Sequence, residues 1–285
     1  MPQALSVGIM VADVMVRTVG AWPELGHLRL VESIELRSGG LAHTTAITLA
    51  KLGVPTAAVG RVGKDVFGSY LIQALRQHGV EPHVTEDPVT GTSVTVVAVA
   101  PGGERSFLHF PGANAHLGPE DVPDHLLEGA RILHLGGYFL LPGMDGLPAA
   151  RLLERARARG CRTSVDVAWD ARGRWMEDLA PCLEHVDTLF ANQDEVAQLV
   201  GMRDPQRAAA VLRKRGVGVV AVKLGERGAY VDAGEWQGWV PAFEVPWWTP
   251  RVREMPSVAD SWPPGYRAGA GRKSPALRTQ WGRSA

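Results

Sequence analysis

The sequence predicts an α/β protein, a mostly parallel central sheet with helices on both faces. Three observations predict it. Short apolar runs of Val, Ala and Leu alternate with longer stretches of helical period. Glycines close the helices, as in "LAKLG" and "RARARG". Alternation of this kind specifies parallel strands joined by right-handed crossovers, with both sheet faces covered.

The elements follow in order. "LSVGIMVADVMV", residues 5–16, is a compact apolar run that reads as a first strand buried on both faces. "GGLAHTTAITLAKLG" opens on two glycines and continues as a helix that stops at Gly53. "PTAAVGRVG" is a strand and "KDVFGSYLIQALRQHGV" a second helix. "TSVTVVAVA" and "GGERSFLHF" alternate and are split by Pro101, Gly102 and Gly103, which predicts a hairpin. The rhythm then becomes regular. "ARILHLGG", "CRTSVDVA", "DTLFAN" and "VGVVAVKLG" are strands; "LPAARLLERARARG", "LAPCLEHV", "QDEVAQLVG" and "PQRAAAVLRKRG" are helices; "GAYVDAG" and "WQGWVPA" form a closing hairpin. Ligands of such sheets sit beyond the carboxyl ends of the strands. Asp13, Gly39, Gly136, Asp166, Asn192 and Gly225 all fall at or beside those ends.

Composition narrows the function classes. Net charge is zero over 285 residues, so no global field argues for nucleic acid or an anionic membrane. Cys161 and Cys182 make neither a disulfide framework nor a metal-ligand spacing, and a reducing compartment fits. The start has no basic n-region or cleavage site, and no apolar run approaches the roughly 20 residues that span a bilayer, so a cytoplasmic location is expected. A dinucleotide-binding dehydrogenase is excluded, because no Gly-x-Gly-x-x-Gly follows the first strand.

"SGGLAHTTAITLAKLGVPTAAVGRVGKDVFG", "GGERSFLHFPGAN", "SVDVAWDARGRW", "ANQDEVAQLVG" and "VVAVKLGERGAYV", in that order and spacing, resemble the PfkB carbohydrate kinase family of ribokinase-like sugar and nucleoside kinases. The resemblance covers residues 5 to about 246 and implies a ribokinase-like domain over 1–246, with lid strands within about 14–38 and 92–111. It implies transfer of the γ-phosphate of ATP to a hydroxyl of a sugar or similar small molecule. Asp13 is implied as the carboxylate that grips sugar hydroxyls, with Gly39 and Gly40 letting backbone approach the sugar. Thr44 stands where the family usually has Asn; Arg105 and Asn114 complete the implied substrate set. His43 is expected to pack rather than bind. Asn192 and Glu195 form an Asn-x-x-Glu motif associated with Mg2+ and phosphate, Glu195 being the implied metal group. Asp194 beside them reads as a helix-start acid. Lys223, Gly225 and Gly228 match the turn that lines the nucleotide. Ala168 replaces a usual Asn, and Asp166 reads as structural. The implied cofactors are ATP and Mg2+, with room for a monovalent cation, and the lid is a candidate homodimer surface.

The resemblance stops where the family's Asp-Thr-Thr-Gly-Ala-Gly-Asp should open a helix. There, glycine amides hold the transferring phosphoryl group and the last Asp takes the proton of the attacking hydroxyl. This chain has "WWTPRVREMP" instead. "RAGAGRKS" further on contains Gly-Ala-Gly, but Arg272 follows it and no Asp does. The genetic code supplies a reason. Shifting the reading window one base earlier forces Asp across Trp248 and Thr249 and Ala across Met255 and Pro256. The codons between them permit Thr-Thr-Gly-Ala-Gly-Asp. A one-base deletion near the Pro246 codon is therefore expected, and residues 247–285 read as out-of-frame translation. That segment carries seven cationic residues against Glu254 and Asp260, and three Val or Leu, a composition that predicts disorder. Without base and anion hole the chain is expected to be inactive. The alternative is a non-catalytic sugar or nucleotide sensor.

Overall fold

The computed structural model describes residues 2–17 and 19–243. Along the chain run β1 (Ala4–Gly8), β2 (Val11–Arg17), β3 (Ser33–Gly39), α1 (Leu41–Lys51), β4 (Thr56–Gly63), α2 (Val66–Gln77), β5 (Glu81–Asp87), β6 (Val94–Val99) and β7 (Arg105–Phe110). There follow α3 (Asp124–Leu127), β8 (Ile132–Tyr138), α4 (Leu147–Ala158), β9 (Arg162–Val167), α5 (Trp175–Leu179), β10 (Thr188–Asn192), α6 (Gln193–Val200) and α7 (Pro205–Lys214). β11 (Val219–Lys223), β12 (Ala229–Asp232) and β13 (Gln237–Val240) close the series.

Nine strands form one sheet in the order β13-β12-β11-β10-β9-β8-β1-β4-β5. It is parallel from β11 to β5, while β12 and β13 return antiparallel as the closing hairpin. A second sheet, β3-β2-β6-β7, is the lid. The parallel strands are apolar on both faces because both are packed. Leu5, Val7, Leu133, Leu135, Val165, Leu189 and Val220 meet Leu152 and Leu153 of α4, Val196 and Leu199 of α6 and Leu212 of α7. On the opposite face Ala58 and Val62 of β4 pack with Ala46 and Ile47 of α1 and Leu71 and Leu75 of α2. Cys161 and Cys182 are free and buried. Among the described residues no helix is long and apolar enough to cross a membrane.

Three expectations need correction. The run 5–16 is not one strand but two, β1 in the central sheet and β2 in the lid. Gly8 breaks it: its φ is +138°, and a Cβ there would stand 2.0 Å from the Gly136 carbonyl oxygen. Asp13 therefore lies inside a lid strand, not at the end of the first one. "LAPCLEHV" is mostly a 3-10 turn, Ala180–His185, rather than an α-helix. Pro181 lies in its first turn and few residues remain before β10. "EPHVTED", unassigned from sequence, is edge strand β5. The boundary at 246 and the out-of-frame segment 247–285 lie outside the described residues.

Candidate functional site

The chain leaves β1, turns at Ile9 and Met10, and enters the lid as β2. Asn114 holds that turn. Its Oδ1 accepts from the Met10 amide at 3.2 Å, and its Nδ2 donates to the Met10 carbonyl at 3.0 Å. Asn114 is fully buried, so it positions the strand that carries Asp13, and its amide is engaged with backbone. Asp13 then sits against the end of β3. A Cβ at Gly39 would lie 1.9 Å from its Oδ2, so only glycine leaves the carboxylate room. Gly40 caps α1 at φ +92°, where a Cβ would meet the Ile9 carbonyl at 2.4 Å. Both glycines of the motif thus carry a steric reason visible in the fold itself.

Burial pushes the Asp13 carboxyl up to about 6, and a hydrogen bond from Thr95 opposes the shift. Thr95 Oγ1 lies 2.9 Å from His109 Nδ1 on β7. Thr44 is exposed, and its hydroxyl donates back to the Gly40 and Leu41 carbonyls of its own helix at 2.9 and 3.3 Å. Arg105 is exposed at the start of β7, opposite Val99. His43 packs as expected: it is fully buried, and its Nε2 meets the Leu71 carbonyl of α2 at 3.1 Å.

The second cluster lies at the ends of β9, β10 and β11. In a sheet with strands ~4.8 Å apart, β11 is four spacings from β1, or about 19 Å. Asn192 is the N-cap of α6. Its Oδ1 accepts from the Asp194 and Glu195 amides at 2.9 and 2.8 Å, while Glu195 Oε2 accepts from the Asn192 amide at 2.6 Å. The Asn-x-x-Glu motif is thus a reciprocal capping box. Asp194, the helix-start acid, pairs with Arg203. Lys223 Nζ donates to Asp166 Oδ1 at 2.6 Å, so Asp166 belongs to this cluster. Burial raises the Asp166 carboxyl and Lys223 pulls it back. Burial also raises Glu195, against the Asn192 amide and Lys223, with Asp166 and Asp194 adding to the rise.

The two glycines of the following turn differ. Gly228, at φ +85°, would place a Cβ 2.0 Å from the Val240 carbonyl of β13, a packing constraint. Gly225, at φ +60°, has open space around it. Among the described residues no group of three His, Cys, Asp or Glu converges as a metal cage. Two neighbouring carboxylates, Asp166 and Glu195, do fit a hydrated Mg2+ held jointly with phosphates. Gly225 leaves room for a nucleotide, and Lys223 offers it a cation.

Between the two ends, the loops that follow β8 and β9 are tied by buried carboxylates. Asp145 accepts from the Phe139 amide at 2.9 Å and from Arg172 at 2.6 Å, and burial pushes it up to about 6. Phe139 takes φ +81°, a conformation this bonding holds in place.

Comparison with known proteins agrees with the fold. Residues 1–245 match the family model described as pfkB family carbohydrate kinase. A 2-dehydro-3-deoxygluconokinase from Thermoproteus tenax is 30% identical over 214 residues, 72% of this chain and 66% of that protein. Fructokinase-1 of Zea mays is 26% identical over 216 residues, 73% of this chain and 67% of the other. The matched stretch thus spans about two thirds of the length of these relatives. Arabidopsis thaliana ribokinase, solved with ribose and ATP, superposes with a TM-score of 0.72 at 25% identity, covering 86% of this chain and 80% of that one.

Proposed function

The chain belongs to the pfkB family of carbohydrate kinases, and on that premise we propose that its gene encodes an ATP-dependent kinase for a sugar or sugar-like hydroxyl. Asp13 and the backbone at Gly39 and Gly40 take the acceptor with Thr44 beside them; Arg105 stands further along the lid, and Asn114 positions the strand that carries Asp13 through Met10. Asn192, Lys223, Gly225 and Gly228 line the nucleotide. Glu195, next to Asp166, holds Mg2+ through water. One observation carries the reading: a recessed carboxylate over a glycine-lined backbone where the lid leaves β1, and a Lys–carboxylate cluster at the ends of β9, β10 and β11. The exposed apolar face of the lid, with Ile34, Leu36, Leu108 and Phe110, suits a homodimer through the lid. We also propose a cytoplasmic location, with the two free, buried cysteines in keeping with a reducing compartment.

We further propose that the 285-residue polypeptide itself does not turn over. Its residues after 246 lack the Gly-Ala-Gly-Asp stretch, which the codons of the neighbouring frame permit. A missing general base costs about 10²–10⁴ in rate. A missing preorganised donor costs about 10²–10³ more. The test is to sequence the gene around the Pro246 codon, restore the single base and assay sugar-dependent ADP release. A gain of at least about 10⁴ is expected. A repaired product no faster than the original, or brisk turnover by the original, overturns the proposal. Calorimetric sugar binding without turnover in both forms would make the protein a sensor.

A further inference from the structure

The lid sheet carries a hydrogen-bonded row whose proton positions follow from its geometry. Asp13 of β2 registers with Arg37 of β3 on one side and Thr95 of β6 on the other; Thr95 registers with His109 of β7. Residues in one such row project from one face of the lid. Asp13 and His109 are two strands apart, about 10 Å, with Thr95 hydrogen-bonded to both.

We propose that His109 is a second acceptor contact, fixed by Asp13 through Thr95 in the tautomer that presents an Nε2 lone pair, so that this site selects neutral polyhydroxy acceptors over sugar acids. The inference rests on the kinase reading and narrows its substrate class.

A threonine hydroxyl has one proton to donate. An ionised Asp13 only accepts, so that proton goes to Asp13. Thr95 Oγ1 must then accept from His109, at 2.9 Å, which places the imidazole proton on Nδ1. Nε2 keeps its lone pair, and no described residue takes it up. Partial burial lowers the His109 pKa, which keeps the ring neutral near pH 7. This face of the lid therefore meets its ligand with two acceptors, a carboxylate and an imidazole nitrogen. Sugar hydroxyls can donate to both; a carboxylate can donate to neither and is repelled by Asp13.

The nearby cations do not reverse this. Arg17, Glu35, Arg37 and Arg105 are the charged groups that register on this face. Arg37 is paired with Glu35 at 2.7 Å. Arg105 and Arg17 each stand four residues along their strands from the row, about 13 Å.

Titration calorimetry on the 285-residue chain tests the inference without turnover. The probes are D-fructose and D-ribose against 2-dehydro-3-deoxy-D-gluconate, with ATP titrated separately. A neutral sugar should bind at least about tenfold tighter than the acid. His109→Phe and Thr95→Val should each weaken neutral-sugar binding about tenfold, and Thr95→Ser should restore it. Imidazole ¹⁵N spectra should report the Nδ1–H tautomer in the parent chain and in Thr95→Ser, and its loss in Thr95→Val. Equal or tighter binding of the acid, or an Nε2–H tautomer at pH 7.5, overturns the inference and leaves the kinase reading standing. Failure to bind either sugar class or ATP overturns the kinase reading, and this inference with it.

Discussion

At the acceptor end, Asp13 is recessed beside Gly39 and bonded to Thr95. At the nucleotide end, Asn192 and Glu195 cap each other across α6, and Lys223 and Asp166 pair at 2.6 Å. One end holds unspent hydrogen-bonding capacity in a rigid backbone frame; the other is satisfied internally. The difference is physical. Asp13 stays desolvated with the Thr95 side chain as its partner, whereas the strand-end cluster lies where charged side chains reach one another. A ligand at the first end adds bonds to groups that are waiting. A ligand at the second must exchange with bonds already made.

The largest effect expected from that contrast is at Asp13. Asp13→Ala removes a charged acceptor worth about 1.5–3 kcal/mol per hydrogen bond. Sugar affinity, measured by calorimetry on the 285-residue chain, should fall at least about a hundredfold while ATP affinity stays put. Loss of both together would mean that the two ends are not separate. Gly39→Ala tests the frame rather than the charge. Its Cβ would lie 1.9 Å from Asp13 Oδ2, so the carboxylate must move by an ångström or more. Displacement on that scale can cost about 10² in a positioned site. Sugar binding by Gly39→Ala that matched the parent would show that the carboxylate need not be recessed.

A smaller effect is expected where the groups are already paired. Lys223→Met deletes one cation and frees Asp166, and both Asp166 and Glu195 lose the neighbour that holds their pKa values down. ATP affinity should weaken about tenfold, the worth of one charged hydrogen bond. Sugar affinity should not move, and an equal loss at both ends would break the comparison.

The two ends also differed in how far the sequence exposed them. The Asn-x-x-Glu spacing is local, so the motif was legible at a helix start, although the capping box it forms came only from the structure. Gly39 and Gly40 were legible as a motif, although their reasons, the Asp13 carboxylate and the Ile9 carbonyl, come from another strand. Alternation in "SVTVVAVA" and "ERSFLHF" gave the hairpin but not its partner, so the row from Asp13 through Thr95 to His109 stayed hidden. Register between β2 and β6 is a tertiary fact: a one-residue slip would have turned Thr95 to the other face. The split of residues 5–16 was missed for a related reason. The apolar run continues unbroken through Gly8, and only the close approach of Gly136 reveals the change of sheet.

The smallest expected effect concerns pH. Asp13 and Asp145 are both pushed up to about 6, from an ordinary carboxylate value near 4. Between those values the folded chain holds more protons than the unfolded one, so stability falls as pH rises from about 4 to 6. Asp65 and Asp170 are shifted down by backbone amides that outweigh their burial, so their stabilisation is lost only below that window. Asp13→Asn removes one of the raised groups. Thermal melts at pH 4.5 and 7 should therefore show the parent losing more stability across the interval than the variant. The excess should be about 1 kcal/mol once partial exposure of Asp13 is discounted. For a domain of this size that corresponds to roughly 2–4 °C. Parallel melts would mean that Asp13 is not desolvated in the free chain, and the acceptor end would then lose the tension that sets it apart from the nucleotide end.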